Sequence, residues 1–66
     1  MNVSINGESR DLPPGANLTD VIALLQLQGR RLAVEVNMEI VPKSRYAEHR
    51  LQDGDRVEIV HAIGGG

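Results

Sequence analysis

The sequence predicts an α+β domain in which one long helix covers one face of a sheet built from five short strands. Three observations lead there: short runs that alternate apolar and polar residues, a single stretch with helical spacing, and turn-forming residues between them. With 66 residues the chain makes one domain, near the lower limit at which a single core holds a fold without disulfides or metal. Only one face of the sheet can be covered by one helix, so the other is left to solvent or partners.

Met1, Val3 and Ile5 alternate with Asn2 and Ser4, the period of a strand with one buried side. Asn6-Gly7 tolerates the positive φ angles of a type I′ turn, so residues 8–12 should return antiparallel to the first strand, and Pro13-Pro14-Gly15 ends the hairpin. Asn17 is placed to cap a helix, with Asp20 at the third helical position completing a capping box and complementing the dipole. Leu18, Val21, Ile22 and Leu25 then form one apolar stripe, and Gly29 suits a left-handed cap, which together predict a helix over residues 18–28.

Leu32, Val34 and Val36 alternate with Ala33 and Glu35 as a third strand, and Asn37-Met38 turns the chain into a short fourth strand, Glu39–Val41, which Pro42 confines to an edge. Residues 43–49 are polar and suit one helical or 3₁₀ turn. Asp53-Gly54-Asp55 marks a tight turn, and a last strand runs over residues 56–63.

Composition narrows the function classes. Without cysteine there is no disulfide framework, no thiolate nucleophile and no cysteine-based zinc site, which suits a reducing compartment. No basic segment leads into an apolar run, and no apolar stretch approaches the roughly twenty residues that span a membrane, so a cytoplasmic protein without membrane contact is expected. Seven basic residues against nine acidic ones, with Tyr46 the sole aromatic, leave neither a basic footprint nor a stacking platform, so nucleic acid is not an expected partner.

Catalytic signals are equally thin. His49 and His61 have neither metal-ligand spacing nor a nucleophile to activate, and Asp53-Gly54-Asp55 lacks the later ligands of a calcium loop. Gly64-Gly65-Gly66 follows a strand with no helix after it, so it cannot form a phosphate cradle. Ser4, Ser9, Thr19 and Ser44 sit in no nucleophile elbow, and so small a domain can barely enclose a substrate. An enzyme in its own right is not expected, nor a bound cofactor or metal.

Two features remain. The outward positions of the third and fifth strands read Ala33 and Glu35, then Arg56, Glu58, Val60 and Ala62; Ala33, Glu35, Val60, Ala62 and Ile63 are the candidate partner-docking face. Beyond a folded body of residues 1–63, Gly64, Gly65 and Gly66 form a flexible tail that reaches roughly 10 Å. Without side chains this arm fits a narrow channel in another protein and presents the Gly66 carboxylate with an unhindered carbonyl carbon.

The first strand and hairpin, the capped helix "NLTDVIALL", the block "VEVNMEIVPKSRY", the turn "LQDGDRVEIV" and the terminal "GG" together resemble the ThiS family, the thiamine-biosynthesis sulfur carriers of the ubiquitin-like β-grasp group. The likeness runs the full length, and the middle block and the DGD turn are its family-specific parts. It implies a mixed five-stranded sheet. It also implies that an E1-like adenylating enzyme of the ThiF type uses ATP and magnesium to activate the Gly66 carboxylate. Sulfur from a cysteine-desulfurase-derived persulfide then makes a thiocarboxylate, turning Gly66 into thioglycine, which a thiazole synthase of the ThiG type consumes.

A terminal Gly-Gly alone is shared with the molybdopterin-synthase small subunit, with tRNA-thiolation carriers and with ubiquitin-like modifiers, so those readings and a plain interaction module stay open. The chain departs from the family in its third glycine and near Tyr46, where a larger aromatic often stands. Tyr46 itself is expected to anchor the short helical turn against the sheet.

Overall fold

The computed structural model describes residues 1–61. Seven elements follow in the order read from the sequence: β1 (Asn2–Ile5), β2 (Glu8–Asp11), α1 (Leu18–Leu24), β3 (Leu32–Val36), β4 (Glu39–Val41), a 3₁₀ turn (Lys43–Arg45) and β5 (Arg56–His61). The strands make one five-stranded sheet in the order β2-β1-β5-β3-β4. Strands β1 and β5 are parallel, whereas β1–β2, β3–β4 and β3–β5 are antiparallel, so the sheet is mixed.

Both hairpins close through left-handed residues. Asn6 and Gly7 have φ of 51° and 85°, the type I′ geometry that asparagine and glycine tolerate. Asn37 and Met38, at 52° and 72°, repeat it between β3 and β4, with an unusual methionine in the second position.

Helix α1 begins as its sequence prescribes. Asn17 Oδ1 accepts the Asp20 amide at 2.8 Å, and Asp20 Oδ2 accepts the Asn17 amide at 2.9 Å, a reciprocal capping box. It ends four residues earlier than the expected 28, because the last helical residue is Leu24. The Leu27 amide donates to the Ile22 carbonyl at 2.9 Å and the Gln26 amide to Ala23 at 3.0 Å, while Gln26 takes φ 59°. This is the paired bonding of a Schellman motif with Gln26, not Gly29, in the left-handed position. The physical reason lies in Leu27, which a continued helix would carry about two and a half turns past Leu18 and onto the opposite face. Turning the chain at Gln26 instead lets Leu27 pack, partly buried, against the core.

That core lies between α1 and one face of the sheet. Val3 and Ile5 from β1, Val34 and Val36 from β3, and Val57 and Ile59 from β5 meet Leu18, Val21 and Ile22 of the helix. Leu18, Val3, Val21, Val34 and Val57 are fully buried, and no polar or charged side chain is buried with them among the described residues. Tyr46 and Leu51 are also buried. Tyr46 therefore packs as an anchor for the 3₁₀ turn, the role expected of it. Strand β4 stands at the sheet edge beside Pro42, as anticipated. Strand β5 is described to His61; the remainder of the expected strand lies outside the described residues.

Candidate functional site

The strand that runs toward the glycines is the middle one of the sheet. Strand β5 has β1 on one side and β3 on the other, and its start is fixed by side chains as well as by strand pairing. The Asn37 amide donates to the Arg56 carbonyl at 2.8 Å, and Asn37 Oδ1 accepts the Arg56 amide at 2.9 Å. Asn37 Nδ2 also donates to Asp55 Oδ1 at 3.0 Å.

The Asp53-Gly54-Asp55 turn serves the same end. Asp53 Oδ1 accepts the Asn2 amide at 2.7 Å, and the Gly54 amide donates to the Asn2 carbonyl at 2.7 Å. Asp55 Oδ2 accepts the Gln52 amide at 2.8 Å, while the Asp55 carbonyl accepts the Ser4 amide at 3.0 Å. Apart from the Asp55 contact with the Asn37 side chain, its carboxylates accept backbone amides, so the turn joins the start of β1 to the start of β5.

Further along, β1 ends at Ile5, but the connection to β5 does not. The Asn6 amide donates to the Val57 carbonyl at 2.9 Å, and the Asn6 side chain then bonds Ile59 twice. Its Oδ1 accepts the Ile59 amide at 2.8 Å and its Nδ2 donates to the Ile59 carbonyl at 3.2 Å. One side-chain amide thus stands in for the next residue of a strand and steadies β5 beyond the end of its neighbour.

The sheet face away from α1 has two characters. Asn2, Ser4, Ser9 and Asp11 make its β2–β1 side polar. On the β5–β3–β4 side, Val60 lies opposite Ala33, and Glu58 opposite Glu35, which in turn lies opposite Ile40. Ile40 is 73% exposed and Val60 59%, high values for large apolar side chains. The three ion pairs among the described residues, Met1–Asp11, Arg10–Glu8 and Arg45–Glu48, include neither Glu35 nor Glu58.

Of the candidate docking residues, Ala33, Glu35 and Val60 thus share the open face. Ala62, Ile63, Gly64, Gly65 and Gly66 lie outside the described residues. One member of the face was missed, Ile40; Glu58 was read as outward, but its place beside Glu35 was not. The signal for Ile40 was the two-residue turn at Asn37-Met38, which sets Val36 against Glu39 and hence Glu35 against Ile40.

Chemical machinery is sparse in this region. His49 is half-buried and His61 exposed, and among the described residues no side-chain hydrogen bond joins a histidine to a hydroxyl. No group of three or more His, Cys, Asp or Glu among them is placed to hold a metal ion. No helix there is long and apolar enough to cross a membrane. The Tyr46 phenol is held above its usual 10.0 by burial.

One helix on a mixed five-stranded sheet, with an open face carried by a central strand whose sequence runs on into three glycines, defines a small β-grasp protein. Comparison with known proteins is specific. The ThiS family model matches residues 3–66. The chain is 47% identical over 49 residues to the sulfur carrier protein ThiS of Bacillus subtilis, covering 74% of each. It superposes on the crystal structure of the thiamine biosynthesis protein ThiS from Geobacter metallireducens with a TM-score of 0.86, at 29% identity and with both chains covered in full. The chain belongs to the ThiS family. It is also 46% identical, over all 66 residues, to a thiazole synthase of Paramagnetospirillum magneticum, of which it spans only 20%.

Proposed function

We propose that this chain is a sulfur carrier for the thiazole branch of thiamine biosynthesis, a co-substrate of partner enzymes in which Gly66 is the reacting residue. The observation that carries the reading is the family match, which continues past the described fold and through the three glycines to residue 66. The body supplies a rigid stem for them in β5. The thiazole synthase similarity supports the choice of pathway over molybdopterin or tRNA-thiolation chemistry and over protein modification.

The chemistry follows from the weakness of a carboxylate as an electrophile. An adenylating enzyme of the E1-like class joins the Gly66 carboxylate to the α-phosphorus of ATP, with magnesium on the phosphates, and pyrophosphate leaves. The terminal sulfur of a persulfide attacks the acyl carbon and expels AMP, which gives an acyl disulfide. A thiol then cleaves the S–S bond, releasing the thiocarboxylate that thiazole synthase uses as its sulfur source. Glycine suits this because an unbranched, side-chain-free end passes into a narrow active site and leaves the carbonyl open to attack.

Intact mass spectrometry tests the scheme. After incubation with ATP, magnesium, the adenylating enzyme and a persulfide donor, one oxygen of the chain should be replaced by sulfur, located to Gly66 by fragmentation. An unchanged mass beside active partners, or sulfur located elsewhere, refutes it. Removing Gly65 and Gly66 should abolish sulfur transfer, whereas a plain interaction module would keep its partner.

A further inference from the structure

We infer that the cavity of about 600 Å³ between the end of α1 and the 3₁₀ turn is a binding site for a small phosphate monoester with an apolar or aromatic body, its phosphate held by Arg30, Arg31 and Lys43 and its body laid on Ile22, Leu27 and the Tyr46 ring. The site goes beyond the sulfur chemistry and does not depend on it.

The early end of α1 shapes the cavity. Because the chain turns at Gln26, Leu27 returns to the core, and the loop after it brings Arg30 and Arg31 into the same lining as Lys43 and Ser44 of the 3₁₀ turn. The floor is apolar: Ile22 and Tyr46 are buried, and Leu27 and Leu32 are partly buried. A volume of that size lies within the range of small-molecule sites, and an apolar lining with a few convergent polar groups is their usual makeup.

Charge selects the ligand. Three of the chain's seven basic residues line the cavity and none of its nine acidic ones does, although the whole chain carries a net charge of -2. The acidic residues nearest to the lining in sequence are already engaged: Asp20 Oδ2 accepts the Asn17 amide, and Glu48 pairs with Arg45. Arg30, Arg31 and Lys43 make no ion pair or side-chain hydrogen bond among the described residues. Thr19, Ser44 and Tyr46 add hydroxyls that likewise have no partner there, and the Tyr46 hydroxyl is not sealed from solvent even though its residue is buried. Two guanidinium groups, an ammonium and neutral donors suit a phosphate monoester, which carries about -1.5 to -2 charge near neutral pH, better than a singly charged carboxylate. A second copy of the chain is a poor occupant, since two such cavities face to face set cations against cations.

The test is a titration of isotope-labelled chain with phenyl phosphate at fixed ionic strength, followed by amide shifts in NMR spectra. Phenyl phosphate should saturate one site with a Kd on the order of 1 mM or below, moving the amides of residues 27–32 and 43–47. Benzyl alcohol and inorganic phosphate, each with half of the recognised chemistry, should bind at least about tenfold more weakly. Arg30→Gln/Arg31→Gln should weaken phenyl phosphate about tenfold and Lys43→Gln about threefold, whereas the charge-matched Arg10→Gln/Arg56→Gln should stay within about twofold of wild type. Should the first double variant melt at a lower temperature, Lys43→Gln decides alone. Equal losses in both double variants, or inorganic phosphate binding as tightly as phenyl phosphate, would reduce the effect to surface charge and overturn the site. So would benzyl alcohol binding as tightly, shifts that never saturate, or a wild type that sediments as a dimer through these residues. A peptide alternating glutamate and leucine that displaces the probe and binds more tightly would assign the cavity to a protein partner instead.

Discussion

At the scale of single residues, two side chains sit where glycine would be easier. Gln26 and Met38 both hold left-handed backbone, at φ 59° and 72°, and Met38 is 77% exposed, so it gains little from packing. A left-handed conformation costs an ordinary residue roughly 1–2 kcal/mol relative to its preferred geometry. Gln26→Gly and Met38→Gly should therefore each raise the stability measured by urea unfolding by about 0.5 kcal/mol, since glycine's larger chain entropy offsets part of the relief. A third prediction concerns Tyr46. Burial raises its phenol above 10.0, so the core accepts the neutral ring, while the unfolded chain ionises at the ordinary value. That contribution is intact below the unfolded value and declines as pH rises through the higher folded one. Thermal melts should thus lose stability above pH of about 10, and Tyr46→Phe should remove much of that loss.

At the scale of elements, what could be read depended on how local the cause was. The start of α1 was fully legible, because a capping box needs only Asn17, Asp20 and the amides between them. Asn17→Ala should cost about 1 kcal/mol of stability, seen as a lowered urea midpoint. The end of α1 was not legible, since nothing in the run "LLQLQG" states that Leu27 gains more by turning back to the core than by continuing the helix. The hairpins were readable from Asn6-Gly7 and Asn37-Met38, and alternation correctly sent Ala33, Glu35 and Val60 to the open face. Strand neighbours are another matter. That Glu58 stands beside Glu35 follows from the β3–β5 pairing, a contact between segments far apart in sequence that no local period encodes.

At the scale of the whole molecule, fold and reaction are separated along the chain. The core draws on residues from Val3 to Ile59, whereas the proposed chemistry lies at Gly66. Gly65→Val should leave thermal stability within about 0.5 kcal/mol of wild type, yet block adenylation because its branched side chain cannot follow the tail into a narrow active site. A destabilised variant, or one adenylated at the normal rate, would contradict that separation. The candidate site was legible only in outline for the same reason: glycines announce themselves by composition, but the open face of β5, β3 and β4 exists only once the sheet has brought three strands together.

The place of β5 in the middle of the sheet has a mechanical consequence. Tension applied from its far end runs along the strand, so the bonds to β1 and β3, together with the Asn6 clasp on Ile59, are loaded side by side and not unzipped one after another. An unfolding motor that grips the chain from that direction must shear both flanks of the strand at once, and the domain should resist being dragged apart far better from there than from its edge strand β2.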